Sequence, residues 1–599
     1  MLKILKASAG SGKTFRLTRF YLEICFRHIR DPYYFRHILA MTFTNDATAE
    51  MKERILHELK ELAGGNQQSN HWAYLKEELD LDDELLQTHA SRMLDAIMEQ
   101  YDDFAISTID SFFQRVLRIF TRELNLEGGQ EIEMDQNAVL EESMTRFLDH
   151  IDEKSEHLKW VELILQNNEE NNKGHSIKSE LLKLGSLLFK EDSDQHVSRG
   201  SAGELIHLYR RLKEEKAKLE NAFYSTQKKL RTLLNANQID EYDFSRGATS
   251  FINTWLNTYS EFKTASQKFT DDKSKGITPL HNNTDPDKWL AKSKRKQDPE
   301  LAARVDRIED QLSALLQEAI DALDTGVPLY VSLEAVIKSF PSFGFLSVLG
   351  KYVEQYCEEE EIILISRTAG LLRQVILIQL MPFFYEKIGQ KYHHILLDEF
   401  QDTSHTQWEN LQVLVENALQ QEGKASLIVG DVKQAIYRWR NGSWEILHQH
   451  LSEQFSHYEL NEETIEENWR SRQEIIDFNN ACFEALPAYA QNYALDNSEA
   501  QESRFSDITR VYEGHHQKIH HSQKEKRAGG FVQMWACLPS GLKKEERKEF
   551  EEQQHIAYWN YLREEIQSAL RRGYAKKDLC ILVRKAKHAK EVGDQLLAW

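Results

Sequence analysis

The sequence predicts an α/β protein with two parallel-sheet regions, the first of them split by a large helical insertion. Residues 1–120 alternate short apolar runs with amphipathic helical patterns, which is typical of a parallel sheet covered by helices. Residues 121–355 follow helical periodicity instead, whereas strand-like runs return in residues 356–468. We therefore expect one sheet domain from residues 1–120 and 356–468, a helical subdomain inserted over 121–355, and an incomplete second sheet domain over 469–599.

The strands expected in both sheet regions are short apolar runs, as buried parallel strands usually are. In the first region, each run leads into a turn and a helix, beginning with a strand over residues 2–5 and a helix over residues 15–27. In the second region, helices are expected over residues 474–486 and 555–571. Further strands are expected to begin near residues 38 and 106 and to cover residues 362–365, 395–397, 427–429, 531–535 and 579–583.

The bulk composition indicates a large cytoplasmic protein. At 599 residues, the chain has the length of three or four domains. Its five cysteines are widely scattered and include no CxxC pair, which is typical of reduced thiols and speaks against zinc or cluster binding. No signal peptide fits the N-terminus, and no uninterrupted apolar run reaches the roughly 18 residues of a membrane helix. We therefore expect no membrane partner.

The formal net charge of −21 argues weakly against nucleic-acid binding, but the distribution of charge matters more than its sum. Residues 1–60 contain 11 Lys and Arg against 6 Asp and Glu, a local excess of positive charge. The acidic runs, such as residues 358–361, are more typical of solvated helix surfaces. Nucleic-acid binding by the N-terminal region therefore stays open.

A glycine-rich turn, Ala7-Ser-Ala-Gly-Ser-Gly-Lys-Thr14, follows the first predicted strand. Glycines at such a junction let backbone N–H groups close around phosphate oxygens, while a Lys adds positive charge and a Thr hydroxyl can bind Mg²⁺. The strict phosphate-loop pattern has Gly where this chain has Ala7, and an ordinary strand–helix connection is the alternative. The candidate phosphate-binding residues are Ala9, Gly10, Ser11, Gly12, Lys13 and Thr14.

Two adjacent carboxylates, Asp398 and Glu399, follow the predicted strand at residues 395–397. The carboxyl ends of parallel strands meet at one edge of a sheet, which is where doubly wound sheets bind ligands. One acid of such a pair can hold Mg²⁺, and its neighbour can orient or deprotonate a water. The continuation Phe-Gln-Asp-Thr-Ser is more specific, and it indicates an NTPase that transmits its nucleotide state to another site.

Hydroxyl-rich turns follow the two strands expected near residues 38 and 106. One turn contains Phe43, Thr44 and Asn45, and the other contains Thr108. Hydroxyls and helix N-termini at strand ends suit a phosphate backbone, and the ring of Phe43 offers a face for base stacking. Taken alone, each turn is more typical of a capped helix start.

The segment Gly430-Asp-Val-Lys-Gln-Ala-Ile-Tyr-Arg-Trp-Arg440 combines polar and aromatic residues after another predicted strand. Gln434 can sense the γ-phosphate or its water, and Arg440 can reach the nucleotide. Trp439 can stack on a base of a nucleic-acid strand, an interaction worth roughly 1–3 kcal/mol. The alternative is that Trp439 is a core aromatic residue.

The segment Asn468-Trp-Arg-Ser471 opens the second sheet region. Trp469 can stack on adenine, and Arg470 can stabilise charge on a transferred phosphoryl group. An arginine supplied in this way from a facing domain couples domain closure to hydrolysis.

Together, these motifs and their order closely resemble the UvrD/Rep-like superfamily 1 helicases, and specifically the RecB/AddA branch. The resemblance implies two RecA-like P-loop NTPase motor domains, a helical subdomain inserted in the first, and ATP-dependent 3′→5′ translocation on single-stranded DNA. It implies ATP and Mg²⁺ as cofactors, and its implied partners are single-stranded or duplex-end DNA and a second helicase–nuclease subunit. By position, it assigns catalysis to Lys13, Asp398, Glu399, Gln434 and Arg470; Mg²⁺ binding to Thr14 and Asp398; nucleotide binding to residues 9–14, Gln434, Arg440, Trp469 and Arg470; and DNA binding to Phe43, Thr44, Asn45, Thr108 and Trp439.

Three departures from the family pattern qualify these expectations. No Gln precedes the phosphate loop to read adenine, so the preference for ATP over other nucleotides stays open. Asp110 stands where the family usually has His, which affects one DNA contact. The later motifs of the second motor domain, and a nuclease motif, are not found up to Trp599. We therefore expect the N-terminal part of a longer protein, deficient by itself in ATP turnover.

Two other functional classes stand as alternatives to a DNA motor. A nucleotide-gated DNA-binding scaffold without unwinding activity would be free to lose Lys13, Glu399 and Arg470, and this chain retains all three. A P-loop protein that acts without nucleic acid would leave Phe43 and Trp439 unexplained. The motor is therefore the favoured hypothesis.

Overall fold

The computed structural model divides into two compact units, Met1–Arg470 with Glu484–Lys518, and Ser471–Phe483 with Ile519–Trp599. We call them unit one and unit two. The glycine-rich turn and the acidic pair both lie in unit one. The structure describes residues 1–120, 131–133, 135–151, 156–170, 177–190, 202–258, 262–271, 280–368, 370, 388, 390–438, 441–496, 509–534 and 544–599.

A six-stranded parallel sheet forms the centre of unit one and confirms the predicted α/β class. The described residues form eight strands, of which β4 and β5 lie outside this sheet. They are β1 (Leu2–Ala7), β2 (Ile38–Thr42), β3 (Ile106–Thr108), β4 (Glu131–Glu133), β5 (Ile362–Leu364), β6 (His394–Leu397), β7 (Ser426–Gly430) and β8 (Leu460–Ile465). The main sheet has the order β3-β2-β6-β7-β1-β8, and its neighbouring strands run parallel. The loops that leave β1, β6 and β7 therefore meet at one edge of the sheet.

Helices dominate the rest of the chain. They are α1 (Lys13–Arg27), α2 (Asn45–Ala63), α3 (Asn70–Leu79), α4 (Asp83–Glu99), α5 (Ile109–Phe120), α6 (Gln136–Asp149), α7 (Glu156–Glu170), α8 (Ile177–Gly185), α9 (Ala202–Ala236), α10 (Phe251–Asn253), α11 (Phe262–Asp271), α12 (Lys292–Gln297), α13 (Pro299–Arg307), α14 (Glu309–Glu359), α15 (His405–Leu419), α16 (Leu451–Gln454), α17 (Gln473–Asp496), α18 (Lys544–Arg571) and α19 (Ala586–Ala598). The expected helices at residues 15–27, 474–486 and 555–571 are confirmed, and each is longer than the sequence predicts.

Helices cover both faces of the main sheet because its strands are apolar on both sides. Successive residues of β2 point to opposite faces, so Ile38 and Ala40 join one core while Leu39 and Met41 join the other. Helices α1 to α4 complete the first core, and α5, α15 and α16 complete the second. This double covering holds the loops at the carboxyl edge of the sheet in fixed positions.

The helical region between β4 and β5 has two hydrophobic cores that share two long helices. Helix α9 contributes Tyr209 to one core and Phe223 to the other. Helix α14 likewise contributes Phe345 to the first and Leu316 to the second. The two cores are therefore linked by continuous helices rather than by loops.

Strand β5, expected at residues 362–365, forms outside the main sheet. It pairs in parallel with β4, where Glu131 lies opposite Ile362. Its Leu364 is buried in a core of the helical region. The sequence predicts this strand but not its neighbours, because a three-residue apolar run does not specify a partner.

In unit two, the strands predicted at residues 531–535 and 579–583 are wrong as far as the structure describes them. Residues 531–534 and 579–583 form no β-ladder, and the side chains of Phe531 and Leu582 are 71% and 91% exposed. A strand exists only with a laterally paired neighbour, which an apolar run does not itself supply.

Among the described residues, α14 is a helix long and apolar enough to cross a membrane by length and composition alone. It contains Pro328 and Pro341, and it packs along α6, α7 and α9. A core helix of a helical domain can meet the same two criteria.

We predict that Gly344→Ala destabilises the helical region. A Cβ atom at Gly344 on α14 would lie 2.5 Å from Cε3 of the fully buried Trp160. Moving a buried indole costs about 1–3 kcal/mol, more than alanine gains in helix propensity. The measurement is the denaturation midpoint, and Gly593→Ala in α19, where a Cβ atom meets nothing within 4 Å, is the matched control. Equal midpoints for wild type and Gly344→Ala would contradict this close packing.

Candidate functional site

The glycine-rich turn between β1 and α1 has the geometry of a phosphate loop. Gly10 and Gly12 have φ angles of 79° and 87°, a left-handed conformation that residues with a side chain rarely adopt. Helix α1 begins at Lys13 with no side-chain cap and no acidic residue in its first turn. The first N–H groups and the partial positive charge of this helix end are therefore available to an anion.

Ala7, where the strict phosphate-loop pattern has Gly, is the last residue of β1. It pairs with Ile465 of β8 and is buried. An extended strand residue accommodates a Cβ atom, whereas the left-handed positions begin only at Gly10. The departure at Ala7 therefore leaves the turn intact.

The phosphate loop and the acidic pair are brought together at the end of β7. Lys13 Nζ donates to Glu399 Oε2 at 2.7 Å, and the Glu399 N–H donates to Oδ1 of the buried Asp398 at 3.0 Å. Glu399 has a φ angle of 50°, and a non-glycine residue occupies this left-handed region at a cost of about 1–2 kcal/mol. Lys13, Asp398 and Glu399, three of the residues predicted to be catalytic, thus lie together.

The residues of this site fit a triphosphate with Mg²⁺. Burial, together with the Glu399 carboxylate, raises the pKa of Asp398 to about 6, although Lys13 opposes the shift. A divalent cation at this point would favour the ionised carboxylate, so Asp398 and the Thr14 hydroxyl suit a metal. The buried Ser11 Oγ has no hydrogen-bond partner, which suits a loop that closes on phosphate oxygens.

The side-chain amide of Gln401 connects the acidic pair to the end of β7. Its Nε2 donates to Glu399 Oε2 at 2.8 Å, and its Oε1 accepts from the Asp431 N–H at 2.9 Å. A Cβ atom at Gly430 would lie 2.9 Å from this Oε1 and 2.6 Å from Leu447 Cδ2. Glycine at the end of β7 therefore makes room for the Gln401 amide.

Gln434, predicted to sense the γ-phosphate, is connected to the same group. Its Nε2 donates to Oδ2 of the buried Asp431 at 2.6 Å. Lys433 Nζ lies 2.9 Å from the other oxygen of this carboxylate. Hydrogen bonds through Asp431 and Gln401 therefore join Gln434 to Glu399.

Asp402 connects the acidic pair to the loop that follows Gln434. Its carboxylate accepts from Gln401 Nε2 at 3.2 Å, and the backbone N–H groups of Ile436 and Tyr437 favour its ionised form and lower its pKa. Burial raises the pKa of this carboxyl to about 6. The phrase Phe-Gln-Asp-Thr-Ser thus joins the acidic pair to a loop that carries an aromatic side chain.

The hydroxyls of the two predicted DNA-binding turns cap helices. Thr44 Oγ1 accepts from the Ala47 N–H at 3.2 Å at the start of α2, and Thr108 Oγ1 accepts from the Ser111 N–H at 3.1 Å at the start of α5. The capped-helix interpretation is therefore confirmed for both residues. Asn45 is exposed at the first position of α2, and DNA binding by these turns stays a prediction.

An aromatic pair lies beside the first of these turns. The rings of Phe43 and Tyr437 have centroids 4.7 Å apart, and both residues are partly exposed. Phe43 therefore meets the loop that Asp402 holds. Trp439 and Arg440, predicted to bind DNA and nucleotide, lie outside the described residues.

Trp469 and Arg470 lie against the phosphate loop. The Trp469 N–H donates to Gly10 O at 2.7 Å, and a Cβ atom at Gly10 would lie 3.0 Å from Arg470 Cβ. The Trp469 side chain is 39% exposed, and a Cβ atom at Gly12 would lie 3.9 Å from its Cδ1. Both predicted nucleotide-binding residues thus adjoin the loop.

Asp110, which replaces the family's usual His, lies in the first turn of α5. Its Oδ1 accepts from Gln407 Nε2 at 2.9 Å. Gln407 also forms a capping box with Ser404 at the start of α15. This carboxylate therefore joins the N-termini of two helices.

Four residues of the site, Gln401, Asp402, Asp431 and Gln517, were not predicted from the sequence. The first three lie inside the motifs that drew attention to their neighbours, so their polar side chains were the available signal. Gln517 belongs to no motif, and only the folded chain shows that its Nε2 donates to the carbonyl oxygen of Ala9 in the phosphate loop at 3.0 Å.

We predict that Asp402→Asn changes stability in a pH-dependent way. Because the folded-state pKa of Asp402 is raised, its ionisation destabilises the folded protein as the pH rises through about 6. Asn stays neutral and keeps an acceptor oxygen, so the variant is expected to be more stable than wild type by about 2 kcal/mol at pH 8.

This advantage should shrink as the pH falls from 6 to 4, where Asp402 becomes protonated. Nucleotide-free unfolding free energies between pH 4 and pH 8 measure it. The matched control is Asp95→Asn, at an exposed position of α4. A difference between Asp402→Asn and wild type that does not vary with pH would contradict the assignment.

Comparison with known proteins places this site in a family. A family model described as the UvrD/REP helicase N-terminal domain matches residues 3–456, more than half of the chain. An ATP-dependent helicase/nuclease subunit of Streptococcus uberis is 25% identical over 515 residues, which cover 81% of this chain and 37% of that protein.

Two further relatives give the same result. An ATP-dependent helicase/nuclease subunit of Streptococcus suis is 25% identical over 512 residues, covering 81% of this chain and 38% of that protein. The exonuclease/helicase subunit RexA of Streptococcus pneumoniae serotype 4 is 22% identical over 505 residues, with the same two coverages. The chain thus spans less than two-fifths of the length of these relatives. On its fold, its phosphate loop with the facing acidic pair, and the extent of the family match, the chain belongs to the UvrD/Rep helicase family.

Proposed function

We propose that this chain carries the motor part of an ATP-dependent 3′→5′ DNA helicase that works in a recombination or repair helicase–nuclease. One observation carries the proposal: Lys13 contacts Glu399 at 2.7 Å, and Gln401 joins this pair to the segment that follows β7. Such an arrangement supports an NTPase site that is connected to a second site. The names of the relatives, which are helicase/nuclease subunits, support the choice of a DNA helicase.

In the proposed reaction, residues 9–14 bind the triphosphate through backbone N–H groups and Lys13. ATP is the substrate that supplies the phosphoryl group; Thr14 and Asp398 would hold Mg²⁺, which would supply positive charge against the charge that develops on this group. Glu399 orients the attacking water and accepts its proton. Lys13 is paired with Glu399, so a Lys13 that binds phosphate instead leaves the carboxylate available to that water.

Further residues complete the proposed nucleotide site. Gln434 and Arg440 contact the γ-phosphate region, and Arg470 stabilises charge on the transferred group. Trp469 stacks on adenine, which its exposed ring beside the loop supports. Gln434 is the residue that the bonds through Asp431 join to Glu399.

The proposed DNA contacts lie where helices begin at the carboxyl edge of the sheet. Thr44, Asn45 and Thr108 stand at the N-termini of α2 and α5, whose N–H groups suit phosphate oxygens. Phe43 and Trp439 stack on bases. The contact of Phe43 with Tyr437 supports a route from the acidic pair to DNA.

We also propose that the protein acts in the cytoplasm on single-stranded or duplex-end DNA, together with a second helicase–nuclease subunit. The free thiols of Cys25, Cys357, Cys482 and Cys580 suit a reducing compartment. We propose that the 599-residue polypeptide alone turns ATP over slowly, because its sequence has no recognisable match to a second catalytic arginine of the family, and loss of such an arginine typically costs about 10³–10⁵ in rate.

We predict that Glu399→Gln abolishes DNA-stimulated ATP turnover while nucleotide binding is retained. The amide cannot accept the proton of the attacking water, whereas Asp398 and Thr14 still hold the metal. Turnover is measured as phosphate release with and without single-stranded DNA, and binding by nucleotide titration. The matched control is Glu53→Gln on the exposed side of α2. Turnover at the wild-type rate in Glu399→Gln would exclude this role for the carboxylate.

We predict that Trp439→Ala and Phe43→Ala each weaken single-stranded DNA binding by roughly 1–3 kcal/mol, with little sequence preference. Affinity should also fall as salt rises, because phosphate contacts release counterions. Equilibrium titration of labelled oligonucleotides measures both effects. The control is Tyr242→Ala, an exposed residue of the helical region. If Trp439→Ala binds as tightly as wild type, Trp439 is a core residue.

A further inference from the structure

Two side-chain amides converge on one carbonyl oxygen of the phosphate loop, that of Ala9. Asn468 Nδ2 donates to this oxygen at 3.2 Å, and Gln517 Nε2 donates to it at 3.0 Å. The amides also bond to each other, since Asn468 Nδ2 donates to Gln517 Oε1 at 2.9 Å. A carbonyl oxygen has two lone pairs, so this pair of amides, which we call the amide clamp, satisfies it fully.

The next carbonyl of the loop is held from the same side. Gly10 O accepts from the Trp469 N–H at 2.7 Å. In a trans peptide unit, the C=O and the following N–H point in opposite directions. Fixing the carbonyls of Ala9 and Gly10 therefore fixes the orientation of the N–H groups of Gly10 and Ser11, and the Ser11 N–H donates within the loop to Ser8 O at 3.2 Å.

The clamp also explains why residue 10 is glycine. Its φ angle of 79° lies in the left-handed region, and a Cβ atom there would lie 2.9 Å from Asn468 Oδ1. Both the conformation and the close approach exclude a side chain. The close approach of Asn468 therefore requires glycine at position 10.

Backbone contacts hold the two amides in place. The Asn468 N–H donates to Lys518 O at 2.8 Å, and the Lys518 N–H donates to Glu466 O at 3.0 Å. Asn468 is 3% exposed, and its Oδ1 accepts from the Arg470 N–H at 2.9 Å. The clamp therefore connects the loop to the segment that carries Arg470.

We propose that Asn468 and Gln517 are positioning residues that hold the phosphate loop in its phosphate-binding conformation and in register with Trp469 and Arg470. This inference rests on the proposed function, because it gives the clamp a role in nucleotide binding. It assigns a role to Gln517, which lies 49 residues after Asn468 and outside every motif.

The test uses two isosteric variants that remove donors and keep acceptors. Gln517→Glu loses the bond to Ala9 O but can still accept from Asn468. Asn468→Asp loses both donated bonds but can still accept from the Arg470 N–H. The affinities of the 599-residue chain for Mg·ATP and for pyrophosphate should each fall about tenfold in either variant, as expected for the loss of oriented hydrogen bonds.

Three comparisons make the result decisive. The double variant should bind no more weakly than the worse single variant, because both changes break one unit. The nucleotide-free thermal midpoint of Gln517→Glu, whose side chain is partly exposed, should stay close to wild type, which separates positioning from folding. Lys518→Met, which removes only the exposed ion pair with Glu466, should bind as wild type does.

Unchanged affinities in both single variants would overturn the proposal, and so would losses that simply multiply in the double variant. If wild type itself binds neither Mg·ATP nor pyrophosphate, the proposed function fails instead. The two failures are therefore distinguishable.

Discussion

The arrangement of this site depends on the hydrogen bonds of one side chain, the amide of Gln401. It donates to Glu399 and to Asp402, and it accepts from the backbone of Asp431. A side-chain amide has two donor hydrogens and an acceptor oxygen at the same end, so one residue can join two carboxylates to a strand end without adding charge. Because these groups are largely buried, each unmade bond would cost about 1–3 kcal/mol.

The order of the strands explains why the Gln401 amide is needed. Strand β7 separates β6 from β1, so the acidic pair and the phosphate loop must reach each other over the end of β7. Gly430 ends β7 without a side chain, and Gln401 occupies the space that is left. The same strand end continues into the segment that contains Gln434. Topology therefore brings three loops together, and one amide sets their relative positions.

Much of this site could be predicted from the sequence, because its main residues follow apolar runs in recognisable order. Glu399 follows β6 closely and Lys13 ends the turn after β1, and the rule that parallel strands end at one edge is enough to place them together. Residues that act through side-chain hydrogen bonds escaped prediction. The contact of Gln517 with Ala9 joins positions about 500 residues apart in the sequence. A local sequence pattern cannot predict such a contact.

The prediction of secondary structure failed for strands whose formation depends on pairing with a neighbouring strand. The run at residues 579–583 is apolar enough for a strand, yet a strand is defined by lateral pairing, which its own residues do not encode. The three-residue β5 formed as predicted but paired with β4. Long helices such as α18 were easier to predict, because their backbone hydrogen bonds lie within the segment itself.

Because the backbone of Glu399 is left-handed, the residue that would be most stable at this position differs from the residue that the proposed chemistry requires. At a φ angle of 50°, glycine or asparagine would relieve strain, and a variant library selected for stability alone should enrich them there. A library selected for turnover should retain glutamate. The two selections would thus favour different residues at position 399. Retention of the strained glutamate would indicate selection for activity rather than for stability.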